Sequence, residues 1–227
     1  VSYLHIESWL LPAPSLIVKE GMAQSALLGA HTWATIRLTL AGFAIGTATG
    51  LLIAIILHTI PFLKSALYPL LILSQNIPII ALGPLLMVWF GFGVLPKLMV
   101  ITLVCFFPVA VAAMDGLTRT DRMMMNYMRM SGASRRAIFM KLELPHSLPQ
   151  VFSGVKIAAT YSVMGAIIAE WIGASEGIGY YMLLQKSAYR TDLIFAAIGI
   201  IVTLSLLMFV VILLLEKWLV RWKPDQE

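Results

Sequence analysis

Five stretches of the chain consist almost wholly of apolar side chains, and polar joints separate them. Residues 38–57 hold no charge. Residues 66–90 are interrupted by Pro78 and Pro84. Residues 98–114 lie between Lys97 and Asp115, residues 155–172 carry Lys156 and Glu170 near their ends, and residues 193–215 are the cleanest run. A helix needs roughly 20 mostly apolar residues to cross a bilayer. The pattern therefore predicts an all-α, polytopic transmembrane bundle with five visible spans. The joint at 58–64 holds Pro61, that at 91–97 holds Gly91, Gly93 and Pro96, and that at 173–191 holds Gly177 and Gly179. The joint at 116–150 is long and charged. Ahead of the first span, 15–28 follows Pro12 and Pro14 and is amphipathic but too polar to cross. It predicts a short surface helix within an outer segment, 1–30, followed by a membrane domain, 31–218, and a tail, 219–227.

Composition agrees with lipid as the main solvent. The chain is 60% hydrophobic and only 12% charged, with mean hydropathy +0.90, where soluble domains carry about 25% charged residues. Sixteen Lys and Arg against eleven Asp and Glu fit basic cytoplasmic loops. With the C-terminus inside, that side holds Lys64, Arg119, Arg122, Arg129, Arg135, Arg136, Lys141, Lys156, Lys217, Arg221 and Lys223. The other holds Lys19, Arg37, Lys97, Lys186 and Arg190. This bias places the 116–150 loop and the C-terminus in the cytoplasm. Residues 1–30 then lie outside, which implies a sixth span upstream. Trp218 and Trp222, beside Lys217, Arg221 and Lys223, suit an interfacial anchor. Cys105 sits in an apolar run and reads as a packing residue. The first thirty residues lack the layout of a signal peptide.

The 116–150 loop carries the most information. It reads as two short helices, 122–130 and 135–144, around a Gly132-Ala133-Ser134 joint. Gly132 can take positive φ and end the first, Ser134 can cap the second, and Pro145 is expected to stop it. Ala137, Ile138, Met140, Leu142 and Leu144 would supply apolar contacts, and Arg135, Arg136, Lys141 and Glu143 charge. Such a segment can dock in a partner's groove or lie on lipid headgroups.

Gly132, nine residues, then Leu142-Glu143-Leu144-Pro145 resembles the conserved loop of binding-protein-dependent ABC importer permeases. That loop runs Glu-Ala-Ala, three residues, Gly, nine residues, Ile, any residue, Leu-Pro. Here Asn126, Tyr127 and Met128 replace Glu-Ala-Ala, and Leu142 replaces Ile. Similar matches extend along the chain: Leu10 to Ser15, Ile77-Pro78, Pro84-Leu85, Trp89 to Gly93, Pro96-Lys97, Phe107-Pro108, Ala169-Glu170, Gly177 to Tyr180, and Glu216 with Arg221-Trp222. Together they resemble the nitrate, sulfonate and taurine type. Cys105 to Pro108, Asp115-Gly116-Leu117 and Ala169 to Gly173 look nearest the branch for thiamine-pyrimidine precursors and riboflavin-like compounds. The resemblance implies a type I importer permease, usually of six spans and here a homodimer. It implies a coupling helix seated in a separate cytoplasmic ATPase that holds ATP and Mg, and an extracytoplasmic solute-binding protein. This chain itself would carry no cofactor. The coupling residues would be Gly132, Ala133, Ser134, Arg135, Leu142, Leu144 and Pro145.

Other features stay open on the residues alone. Gly42, Gly46 and Gly50 form a small-residue face suited to close helix packing in lipid, within the chain or against a second copy. Gln75, Asn76, Pro78 and Pro84 interrupt a span and are candidates for lining a passage. Glu170, ionisable within an apolar run, is a candidate for gating, or for holding the outer structure by pairing with Lys186 or Arg190. Residues 175–181 read as a flexible loop able to meet a binding protein. There is no Gly-x4-Gly-Lys-Ser/Thr phosphate loop, and His5, His31, His58 and His146 lack metal-ligand spacing, so enzyme chemistry is not expected. Rival readings are an alkanesulfonate, taurine or nitrate importer permease and an ion-coupled secondary transporter.

Overall fold

The computed structural model describes residues 11–220; the terminal 1–10 and 221–227, with Arg221, Trp222 and Lys223 of the expected anchor, lie outside the described residues. All regular structure among these residues is helical. Helix α1 (Pro14–Ala23) opens with proline at its first turn, where the missing N–H costs nothing. After Gln24, α2 (Ser25–Thr59) runs for 35 residues, about 52 Å at 1.5 Å per residue. The first span thus begins well before residue 38. The segment from Ser25 to Arg37 is rich in Ala and Leu and holds no proline, so nothing stops the helix there.

Proline sets the next two starts. Pro61 opens α3 (Pro61–Ser74), and Pro78 caps α4 (Ile79–Phe90). The axes of these two helices differ by 101°, so the span expected at 66–90 is a sharply broken pair. Helix α5 (Val94–Thr118) follows, then the short α6 (Arg122–Met130) and α7 (Arg135–Ile138). The second loop helix does not stop at Pro145. It passes through one π turn (Phe139–Glu143) into α8 (Leu144–Gly173), and the whole runs unbroken from Arg135 to Gly173. A wider i→i+5 turn makes room for the ring of Pro145, which in a regular helix clashes with the carbonyl four residues back.

The 173–191 joint is also more ordered than its two glycines suggest. It forms α9 (Ile178–Ser187), with Ile178 and Tyr181 fully buried. Helix α10 (Thr191–Leu219) closes the bundle.

Helices α2, α5 and α8 make the core. Lipid supplies no hydrophobic drive between helices, so close van der Waals contact must hold them. The glycine face of α2 lies on α5, within the chain. A Cβ at Gly46 would stand 2.6 Å from Cys105 Cβ and 2.7 Å from the Thr102 carbonyl oxygen, and one at Gly50 2.9 Å from the Phe106 oxygen. Gly154 of α8 also lies close on α5, where a Cβ would stand 2.6 Å from the Pro108 oxygen. Cys105 is buried and its thiol donates to the Ala158 carbonyl at 3.5 Å. Helix α10 is tied to α8 by Lys156 Nζ, which donates to Glu216 Oε2 at 2.7 Å.

Substituting Gly46 by Leu should push α2 off α5. Overpacking of this kind typically costs about 1–3 kcal/mol, so the detergent-purified protein should melt earlier in a size-exclusion thermal assay. Gly29→Ala and Gly199→Ala, where nothing lies within 4 Å, should show no loss. Equal melting of Gly46→Leu and the unmodified chain would refute the close-packing account.

Candidate functional site

Two constructions stand at opposite ends of the bundle. At one end, Asp121 caps α6 by accepting from the Met123 amide at 2.8 Å. Gly132 ends it at φ +76, a region open to glycine at little cost. The Ser134 hydroxyl oxygen then accepts from the Ala137 amide at 3.3 Å. The Gly132-Ala133-Ser134 joint thus turns the chain sharply between two helices, and Arg135 begins the second.

The exposed apolar face here is not the one the sequence picked out. Leu142 and Leu144 are half-buried within the helix entering α8, and Ile138 is buried. Met123, Tyr127 and Met130 of α6 are instead 80%, 64% and 82% exposed, with Met140 beside them in the π turn at 53%. Positions 123, 127 and 130 follow the i, i+4, i+7 spacing of one helix face. That spacing is legible in the sequence itself. Glu143, expected to supply charge on the loop helix, is 1% exposed and bonded to His58 at the end of α2 and to Arg135.

At the other end, Glu170 makes no pair with Lys186 or Arg190. Arg190 is held by Glu20 at 2.7 Å and Asp192 at 2.8 Å. Glu170 is 2% exposed and turns to the start of α9. Its Oε2 accepts from the Gly179 amide at 2.7 Å, and its Oε1 accepts from the Thr35 hydroxyl at 2.8 Å. The Thr35 oxygen in turn accepts from the Ile178 amide at 2.8 Å, and His31 Nδ1 accepts from the Gly177 amide at 3.1 Å. Three consecutive amides at a helix N-terminus, which lack partners inside the helix, are thus satisfied by α2 and α8. A carboxylate is also favoured there by the helix dipole. Residues 175–181 are accordingly a packed junction rather than a flexible loop. Tyr181, whose hydroxyl donates to Gln24 Oε1 at 2.8 Å, is pushed above its usual pKa by burial.

The passage candidates are not gathered into one place. Gln75, Asn76 and Pro78 are exposed at the α3–α4 break, where the Asn76 amide donates back to the Ile72 and Leu73 carbonyls. Pro84 is exposed within α4. The hydrogen-bond partners of Glu170 lie on α2 and α9. Beside Glu170 a cavity of about 240 Å³ opens between α2 and α5, with Arg37, Lys97 and Glu176 on its wall and Ala34, Leu38 and Leu98 as its apolar lining. Arg37 and Lys97 were legible in sequence only as span-bounding charges.

A family described as "Binding-protein-dependent transport system inner membrane component" matches residues 46–222. The formylaminopyrimidine transport permease protein ThiX of Halalkalibacterium halodurans is 35% identical over 97% of this chain and 88% of its own. The riboflavin transport system permease protein RibX of Chloroflexus aurantiacus is 32% identical over 96% of this chain and 82% of its own. A solved amino acid ABC transporter superposes with a TM-score of 0.69 at 17% identity, covering 89% of this chain and 96% of that one. The chain therefore belongs to the inner-membrane permease components of binding-protein-dependent ABC transporters.

Proposed function

We propose that two copies of this chain form the passage of an ATP-driven importer, powered by a separate cytoplasmic ATPase that binds ATP and Mg. A solute-binding protein on the outer side would deliver a flat heteroaromatic solute, a formylaminopyrimidine-like thiamine precursor or a riboflavin-like compound. The names of the ThiX and RibX relatives support that substrate class. In this reading the C-terminus and the 122–145 segment are cytoplasmic, as the distribution of Lys and Arg favours.

The observation that carries the proposal is the exposed Met123-Tyr127-Met130 stripe joined to an unbroken helix. An apolar face on a short amphipathic helix fits a hydrophobic groove. Methionine adapts its shape to such a groove. The helix from Arg135 to Gly173 then joins the loop to the core without a break. Phe62, Val88 and Phe92, each at least 80% exposed on or beside α3 and α4, would meet lipid or the second copy. Gln75, Asn76, Pro78 and Pro84 are also exposed and remain the proposed passage lining. Alternating access would follow from the ATPase pair closing and opening beneath the loops.

A second substrate reading is favoured by Arg37 and Lys97. Neither forms an ion pair among the described residues, and both line the charged cavity. An organic anion such as an alkanesulfonate or taurine, or nitrate, would approach these two cations in competition with Glu170 and Glu176, which line the same cavity. Competition between a labelled aminopyrimidine and taurine for uptake separates the two readings.

Met130→Glu should abolish copurification with the ATPase encoded beside this chain, while the variant protein itself stays folded in detergent. Retained copurification would remove α6 as the docking face. At the other end, Gly177 adopts φ +110, and a Cβ there would overlap the Glu170 carboxylate. Gly177→Ala should therefore displace the carboxylate and free the first turn of α9. Loss of a helix cap is typically worth about 1 kcal/mol, so amide exchange at Ile178 and Gly179 should quicken roughly five- to ten-fold. Unchanged exchange would show that the carboxylate does not hold this junction.

A further inference from the structure

The stretch linking the docking stripe to the core is mechanically the weakest part of its helix. It contains the π turn Phe139–Glu143, followed by Pro145 and Pro149. Each proline removes one backbone hydrogen bond. A helix of this kind bends under load at such points, so a push at α6 would be absorbed before it reached the spans.

A side-chain tie crosses this stretch. Arg135 lies before the π turn, and Glu143 is its last residue. Arg135 Nη1 donates to Glu143 Oε1 at 2.8 Å, and Glu143 Oε2 lies 2.9 Å from His58 Nε2 at the end of α2. A carboxylate only accepts, so the proton of that second bond sits on His58 Nε2. The His58 ring also lies against Phe139, centroids 6.2 Å apart. With Glu143 1% exposed and His58 10%, water competes little for the bond to α2, while Arg135 is 56% exposed. Charge-assisted bonds of this kind are short and directional.

We propose that Glu143 is a positioning residue for energy coupling. It pins the 122–145 segment to the end of α2, so that segment, α2 and α8 move as one body. The proposal rests on the reading of 122–145 as the ATPase-docking segment. It adds that the force enters through α2 as well as through α8. Neither the Gly132 joint nor the Leu-Pro motif supplies this link, because neither touches α2 through a charged side chain.

The test places nitroxide labels at Arg136→Cys on α7 and Leu52→Cys on α2 in a Cys105→Ala background. Distances are read by double electron–electron resonance on the purified complex with the ATPase. The unmodified tie should give a narrow distribution. Glu143→Gln should broaden it about two-fold, as expected when a cooperative two-sided attachment is lost, with the ATPase still bound. His58→Phe, which removes the bonding nitrogen from the α2 side and keeps a ring against Phe139, should broaden it likewise and provides the answer if Glu143→Gln fails to fold. Narrow distributions in both variants would overturn the tie while leaving the docking reading intact. An ATPase that does not bind even the unmodified chain would overturn the docking reading and the coupling role built on it.

Discussion

The close approach of α2 to α5 is the constraint on which the rest depends. In water a bundle can rely on burying apolar side chains; in lipid the solvent is as apolar as the core, and only contact distance distinguishes a packed helix from a solvated one. Gly42, Gly46 and Gly50 let the α2 backbone come close enough that even a methyl group has no place. Gly154 lets α8 approach α5 in the same way. The three helices become a single slab, and every functional feature is fixed relative to it. The α6 end is set by where α2 and α8 finish, and the α9 end by which side chains α2 and α8 present.

The spans and the loop were legible because their signals are one-dimensional. Apolar run length, the Gly132 and Ser134 punctuation and the glycine period need no partner to be read. The departures came from local irregularity and from interactions between distant segments. Pro145 reads as a stop because the π turn that accommodates it has no sequence signature of its own. Residues 175–181 read as a flexible loop because Gly177 and Gly179 suggest freedom. Both glycines are instead required by the space Glu170 occupies: a Cβ at Gly179 would stand 2.9 Å from Glu170 Cβ. Leu142 and Leu144 look like docking anchors, but in the continuous helix they are half-buried. Met123, Tyr127 and Met130 then remain as the free face.

Glu170 and Glu143 fill parallel roles at the two ends. Each is an acid almost wholly withdrawn from solvent, and each has both carboxylate oxygens bonded. Burying a charge without partners is costly enough that an acid in such a place persists only when its bonds are made. That makes each acid a specific joint. Glu170 accepts only where Thr35 and the first amides of α9 converge, and Glu143 only where His58 and Arg135 do. A hydrophobic residue in either position would pack in several ways; a buried acid with two required partners packs in one.

Both joints share α2. Thr35 and His58 are 23 positions apart on one unbroken helix, about 35 Å at 1.5 Å per residue, roughly the thickness of the hydrocarbon core. The glycine contacts keep this stretch straight against α5 over the middle of its length. A displacement at His58 is therefore a displacement of the rod whose other end holds the first turn of α9. Were α2 broken, as α3 and α4 are by Pro78, motion at one face of the membrane would dissipate before the other face felt it. The chain instead places its sharp break in the exposed α3–α4 pair and keeps proline out of the helix that joins the two ends.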